Sequence, residues 1–227
     1  MSDSQRLRSI PEGIRIVSEV AGELAEKESR TSVLAVTTYL PMDVDSVARV
    51  FEGLEPVSGV ERIQDGSLTV YEFDDPQRFC GEGTGIEAVE FLEEARVFLR
   101  AVGDLKRDAE WVRKVQEQHE LLHIIAEASE QRLELGYMTN RASMPRARVQ
   151  SLLNDFDAEG YIGSEVDEEA DQLFFTFPQL TYPKERYQRN MSLLEEVAPP
   201  ARSRLTLWIY LAAFAVILLV VVFLLRF

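Results

Sequence analysis

The chain holds two histidines, and both stand in the run His119-Glu120-Leu121-Leu122-His123. On a helix, positions i and i+4 share a side, so two imidazoles can hold one Zn²⁺ at about 2.0–2.1 Å while the glutamate takes a proton from the metal-bound water. In this chain the ligands would be His119 and His123 and the base Glu120, the chemistry of zinc-dependent peptide hydrolysis. There is no third histidine, so a carboxylate such as Glu127, Glu130 or Asp155 would have to complete the site. A second group of residues offers charge instead of catalysis. Arg141, Arg146 and Arg148 lie in a stretch with no acid between Leu135 and Asn154, the one cationic island ahead of residue 201. Three guanidinium groups there could meet nucleic-acid phosphate, anionic headgroups or an acidic protein.

Two observations weigh against the metal reading. Glu117 occupies a position where the longer zincin signature prefers an uncharged residue. The same helix also has packing to do, because Trp111, Val115, Leu122, Ala126 and Ser129 share its apolar side, with His119 inside that arc and His123 at its margin. Elsewhere the signals are weaker still. Cys80-Gly81-Glu82-Gly83-Thr84-Gly85 is glycine-rich but lacks the Lys-Ser/Thr of a phosphate loop, and Glu82 would repel a phosphate, so it reads as a linker. Cys80 is the single cysteine, which excludes an intrachain disulfide and a cysteine-based zinc site and suits a reducing compartment. No nucleophile elbow surrounds any serine, and no cofactor is expected.

The elements that must carry these residues repeat. Met42, Val47, Val50, Phe51, Leu54 and Val60 correspond, 102 positions on, to Met144, Val149, Leu152, Leu153, Phe156 and Ile162. The spacing i, i+3, i+4, i+7 in each set marks one face of a short helix. A longer amphipathic helix precedes each; the first opens at the capping box Ser9-Ile10-Pro11-Glu12 and buries Ile14, Val17, Val20, Ala21 and Leu24. A β-hairpin follows each. In the first copy Val60–Ile63 and Leu68–Phe73 flank Gln64-Asp65-Gly66-Ser67; in the second Tyr161–Val166 and Leu173–Phe177 flank the acidic loop Asp167–Gln172.

Helix, short helix, helix and hairpin is the plan of a winged helix, and the stretches TTYLPMDVDSVARVFEGL and MTNRASMPRARVQSLLNDF resemble the second and third helices of that superfamily. The resemblance covers about residues 9–78 and 110–180. It implies an α+β, mainly helical body of two tandem winged-helix-like domains, 1–78 and 110–180, joined by a glycine loop and helical connector, 79–109. It also implies nucleic-acid binding through the third helix, and here charge intervenes. The chain has 39 acids and 24 bases; the only bases beyond residue 201 are Arg202, Arg204 and Arg226, so the residues before them carry 21 bases against 39 acids, a net of −18. Such a body repels DNA. The first copy surrounds its third helix with Asp43, Asp45, Glu52 and Glu55, and the second has an acidic wing tip, Asp167–Asp171.

Residues 181–204 read as a partly helical stalk. From Leu205 to Leu225 there follow 21 residues with no charge, glycine or proline, enough at 1.5 Å per residue to cross a bilayer core of about 30 Å. Trp208 and Tyr210 lie at headgroup level, and Arg202 and Arg204 outnumber Arg226, which places the N-terminal body in the cytoplasm. The N-terminal stretch has no apolar core for export. The sequence therefore predicts a single-pass, tail-anchored protein whose partners are the lipid bilayer, through residues 205–225, and a cytosolic protein. A non-enzymatic interaction or regulatory module is the first expectation, a membrane-bound DNA-binding regulator the second, and a zinc peptidase the third.

Overall fold

The computed structural model describes residues 3–55, 59–79, 109–128, 130–167 and 172–197, with the backbone alone for residues 3–14. The first half runs through α1 (Asp3–Glu28), β1 (Arg30–Thr31), α2 (Val33–Thr37), α3 (Val44–Leu54), β2 (Val60–Asp65) and β3 (Leu68–Phe73), and ends in a 3-10 turn, Pro76–Arg78. The second repeats that order in α4 (Ala109–Glu127), β4 (Arg132–Glu134), α5 (Leu135–Arg141), α6 (Arg146–Ala158), β5 (Gly163–Asp167) and β6 (Gln172–Thr176); α7 (Lys184–Val197) follows. In each half the strands form an antiparallel sheet with the last strand in the middle, β1-β3-β2 and β4-β6-β5. The described chain is an α+β structure.

Local chemistry explains the boundaries. Asp43 has extended backbone and accepts from the Ser46 N–H at 3.0 Å, capping α3, while Ser32 caps α2 by accepting from Ala35 N–H at 3.1 Å. In the first hairpin Gly66 adopts φ +63°, so a two-residue turn suffices and the ladder continues to the pair Asp65 and Leu68. The strand is thus two residues longer than the spacing of the sequence predicts. The capping box at Ser9 is not the start of α1: the helix extends back to Asp3 with Pro11 inside it. Gln5, Arg6, Leu7 and Arg8 are good helix formers, and the helix passes through Pro11 although an interior proline forgoes a backbone bond and costs about 3 kcal/mol.

One apolar core runs through both halves. Val17, Val20 and Ala21 of α1, Val47 and Phe51 of α3, Leu121 and Leu122 of α4, and Leu152, Leu153 and Phe156 of α6 belong to the same buried cluster. Polar contacts pin the halves as well. The Thr69 N–H donates to Gly160 O at 2.7 Å, the Val44 N–H donates to the Gln118 side chain at 3.2 Å, and Lys114 pairs with Asp45 at 2.6 Å. Ser67, at the tip of the first hairpin, sits directly over Gly163, where a Cβ would lie 2.6 Å from that of Ser67. Only glycine admits so close an approach.

Within the stretch expected as a partly helical stalk, α7 packs against α4. Leu193 and Leu194 pack with Val112 and Val115 of α4, joined by half-buried Trp111 and Met191. No helix among the described residues is long and apolar enough to cross a membrane. The segment 205–225 with its flanks Arg202, Arg204, Trp208, Tyr210 and Arg226, the connector 80–108 and the wing tip 168–171 lie outside the described residues.

Candidate functional site

The histidine pair lies on α4 as the spacing predicts, one turn apart, but its surroundings differ from those of a metal site. His119 is fully buried. Its Nε2 lies 2.9 Å from Met42 O and its Nδ1 lies 2.6 Å from the Tyr182 hydroxyl. A carbonyl can only accept, so Nε2 carries the proton and Nδ1 accepts from Tyr182. The tyrosine hydroxyl in turn accepts from Asn190 Nδ2 at 2.9 Å, and that amide also donates to Thr38 O at 3.3 Å. The result is a directed chain, Asn190 to Tyr182 to His119 to Met42. It joins α7, the stretch before it, α4 and the loop before α3.

The electrostatics agree with this assignment. Burial lowers the His119 pKa from 6.5 to about 4, partly offset by the Met42 hydrogen bond, so the ring is neutral at pH 7. Burial raises the Tyr182 hydroxyl, opposed by the Asn190 bond, and the phenol keeps the proton it donates. His123 stands at the edge of this cluster, its Nδ1 3.2 Å from Tyr182 O, its ring stacked on Tyr187 at 4.3 Å, and its Nε2 3.4 Å from Glu127.

Glu120 is committed elsewhere. Its carboxylate receives the Ser143 N–H and hydroxyl, the latter at 2.8 Å, and so fixes the loop ahead of α6. With both His119 nitrogens engaged and Glu120 bound to Ser143, the three residues do not converge on a shared ligand position. The motif has the spacing of a zinc site, and its side chains are turned to other partners. Among the described residues no group of three or more His, Cys, Asp or Glu is placed to hold a metal ion. Treatment with EDTA is accordingly expected to leave the thermal melting temperature unchanged; a fall of several degrees, restored by Zn²⁺, would overturn this account of His119.

The three arginines are not equivalent. Arg148 is bound by Glu117 of α4 at 2.6 Å, a carboxylate that also lies 3.7 Å from Arg113. Arg141 lies over the Tyr137 ring at 4.4 Å. Arg146 opens α6, is exposed, and has no ionic partner among the described residues. The island therefore presents two guanidinium groups rather than three. Beyond Arg146 the exposed side of α6 continues with Gln150, Ser151 and Asn154 before reaching Asp155.

Sequence reasoning missed Tyr182, Asn190 and Gln118. For Gln118 a signal exists: it and His119 are adjacent polar residues on a helix whose inner face is otherwise apolar, and both are buried. Such a pair asks for distant partners. Nothing local marks Tyr182 or Asn190, which besides bonding each other reach His119 and Thr38, 63 and 152 positions away. Neither a family model nor a curated protein sequence matches the chain.

Proposed function

We propose that this chain is a membrane-tethered, non-enzymatic interaction module: a cytosolic body of two winged-helix-like units held at a bilayer by residues 205–225. The order helix, strand, helix, helix, hairpin, with the first strand paired to the last, supports the winged-helix comparison in both halves. The uncharged run 205–225 supports the tether. Tethering confines the body to two dimensions and raises the effective concentration of whatever it binds at the membrane face.

The observation that carries the non-enzymatic reading is where the chemically capable residues are spent. His119 joins the two units, Glu120 holds a loop, Arg148 is neutralised, and the tip of the first hairpin is seated on the second unit. What faces outward is predominantly acidic, which suits a protein partner better than a polyanion.

A DNA-binding regulator is the second reading, favoured by the acid-free exposed run Arg146, Gln150, Ser151 and Asn154 on α6, side chains able to hydrogen-bond base edges. A salt titration separates the two. The full chain in lipid nanodiscs is expected to show no sequence-selective DNA binding near physiological salt. Selective binding that falls steeply with salt and is lost in Arg146→Glu would replace the module reading with the regulator. Arg146 is the position to change, since Arg148→Glu would also leave Glu117 facing a like charge.

A further inference from the structure

A cleft opens between the outer face of the first sheet and the extended stretch that leads from β6 to α7. β3 turns Thr69, Tyr71 and Phe73 into the core, which leaves Leu68 and Val70 facing outward as the apolar floor of a cavity of about 460 Å³. Gln131, Phe177, Pro178 and Gln179 form its far wall, and a second cavity, of about 490 Å³, adjoins along the same four residues. The first is of the size that holds a small ligand or a few residues of a chain.

The wall offers main-chain groups. Phe177 N–H donates to Gln131 O at 2.8 Å and Thr181 O accepts from the Thr38 hydroxyl at 3.2 Å. Between them Pro178, Gln179 and Leu180 make no backbone hydrogen bond with the described residues. An extended segment with open backbone groups is a template for strand addition.

Charge selects among ligands. Arg30 at the rim is already bound by Asp65 at 3.2 Å and approached by Glu72 at 3.8 Å. That leaves Lys27 and Glu28 on the lining of the first cavity and Glu130 on that of the second, within a body of net charge −18 ahead of residue 202. The field around the cleft attracts cations.

We propose that this cleft binds an extended peptide carrying lysine or arginine, its main chain adding along Pro178–Leu180 and an apolar side chain resting on Leu68 and Val70. This rests on the reading of the chain as an interaction module and names the class of partner.

The test pans the full chain, in lipid nanodiscs, against a random peptide display library and measures the selected peptides by fluorescence anisotropy. Selected peptides are expected to be enriched in Lys and Arg and to cross-link to a photoreactive residue placed at Gln179. They are expected to bind Val70→Lys at least tenfold more weakly. Equal affinity for the parent and Val70→Lys, cross-links outside the cleft, or a library that yields no binder would each overturn the cleft assignment. Peptides that bind elsewhere on the body would do so while leaving the module reading in place. Sequence-selective DNA binding by the same nanodisc sample, with no peptide selected, would remove both.

Discussion

Acidification from pH 7 to pH 4 is expected to cost the fold about 3 kcal/mol through His119 alone. The imidazole takes a proton near 6.5 when exposed in the unfolded chain but only near 4 inside the protein. Its folded pKa is the lower one, so the full stability is present above 6.5, declines as the pH falls through the interval, and levels off below about 4. The loss has a structural meaning. Protonated Nδ1 would become a donor facing the donor hydroxyl of Tyr182, and the chain from Asn190 to Met42 would run against itself. Urea denaturation across this range on the parent and on His119→Gln isolates the effect, since the carboxylates titrate in both. The difference between the two stability curves is expected to shrink by about 3 kcal/mol between pH 7 and pH 4. Parallel curves would show that His119 is not the buried neutral base described above.

The second large effect is expected at the seam between the two units. Gly163 begins the edge strand β5 and lies under Ser67, so Gly163→Ala places a methyl where the serine side chain already stands. Overpacking of this kind typically costs about 1–3 kcal/mol. Serine is too short to swing clear without moving its backbone, and that backbone is tied nearby by the bond from Thr69 N–H to Gly160 O. Ser67→Gly alone is expected to be mild, and combined with Gly163→Ala it is expected to restore most of the lost stability. A double-mutant cycle reads this directly as a coupling energy. Additive effects would show that the hairpin tip does not rest on the second unit.

Much of the repeat is legible in the sequence, and the reason is periodicity. The apolar spacing that identifies α3 and α6 reflects burial on one face, and the 102-residue offset recurs where Val33 opens α2 and Leu135 opens α5. The edge strands β1 and β4 are not legible. With two and three residues they are too short to alternate, and they exist because Thr31 finds Tyr71 and Leu133 finds Phe175 across the sheet. The helix α7 is half legible: Leu193 and Leu194 are its fully buried apolar pair, and only the presence of Val112 and Val115 turns that pair into an anchor. The histidine motif shows the limit from the other direction. Spacing alone places His119 and His123 on one side of α4, but whether that side meets a metal or the Tyr182 hydroxyl depends on a residue dozens of positions away.

The antiparallel pairing of α4 and α7 also determines how the body would yield to a pull. His119 and His123 lie beside Tyr182, Tyr187 and Asn190, whereas Val112 and Val115 lie beside Leu193 and Leu194, so the last turn of α7 rests on the first turns of α4. Force entering from the residues after Val197 is therefore applied at the small outlying cluster and opens α7 like a zipper, one turn at a time. That cluster would give way first, the Asn190–Tyr182–His119 clasp next, and the shared core last. Tension on the chain would separate α7 from the body at loads that leave the two units folded together.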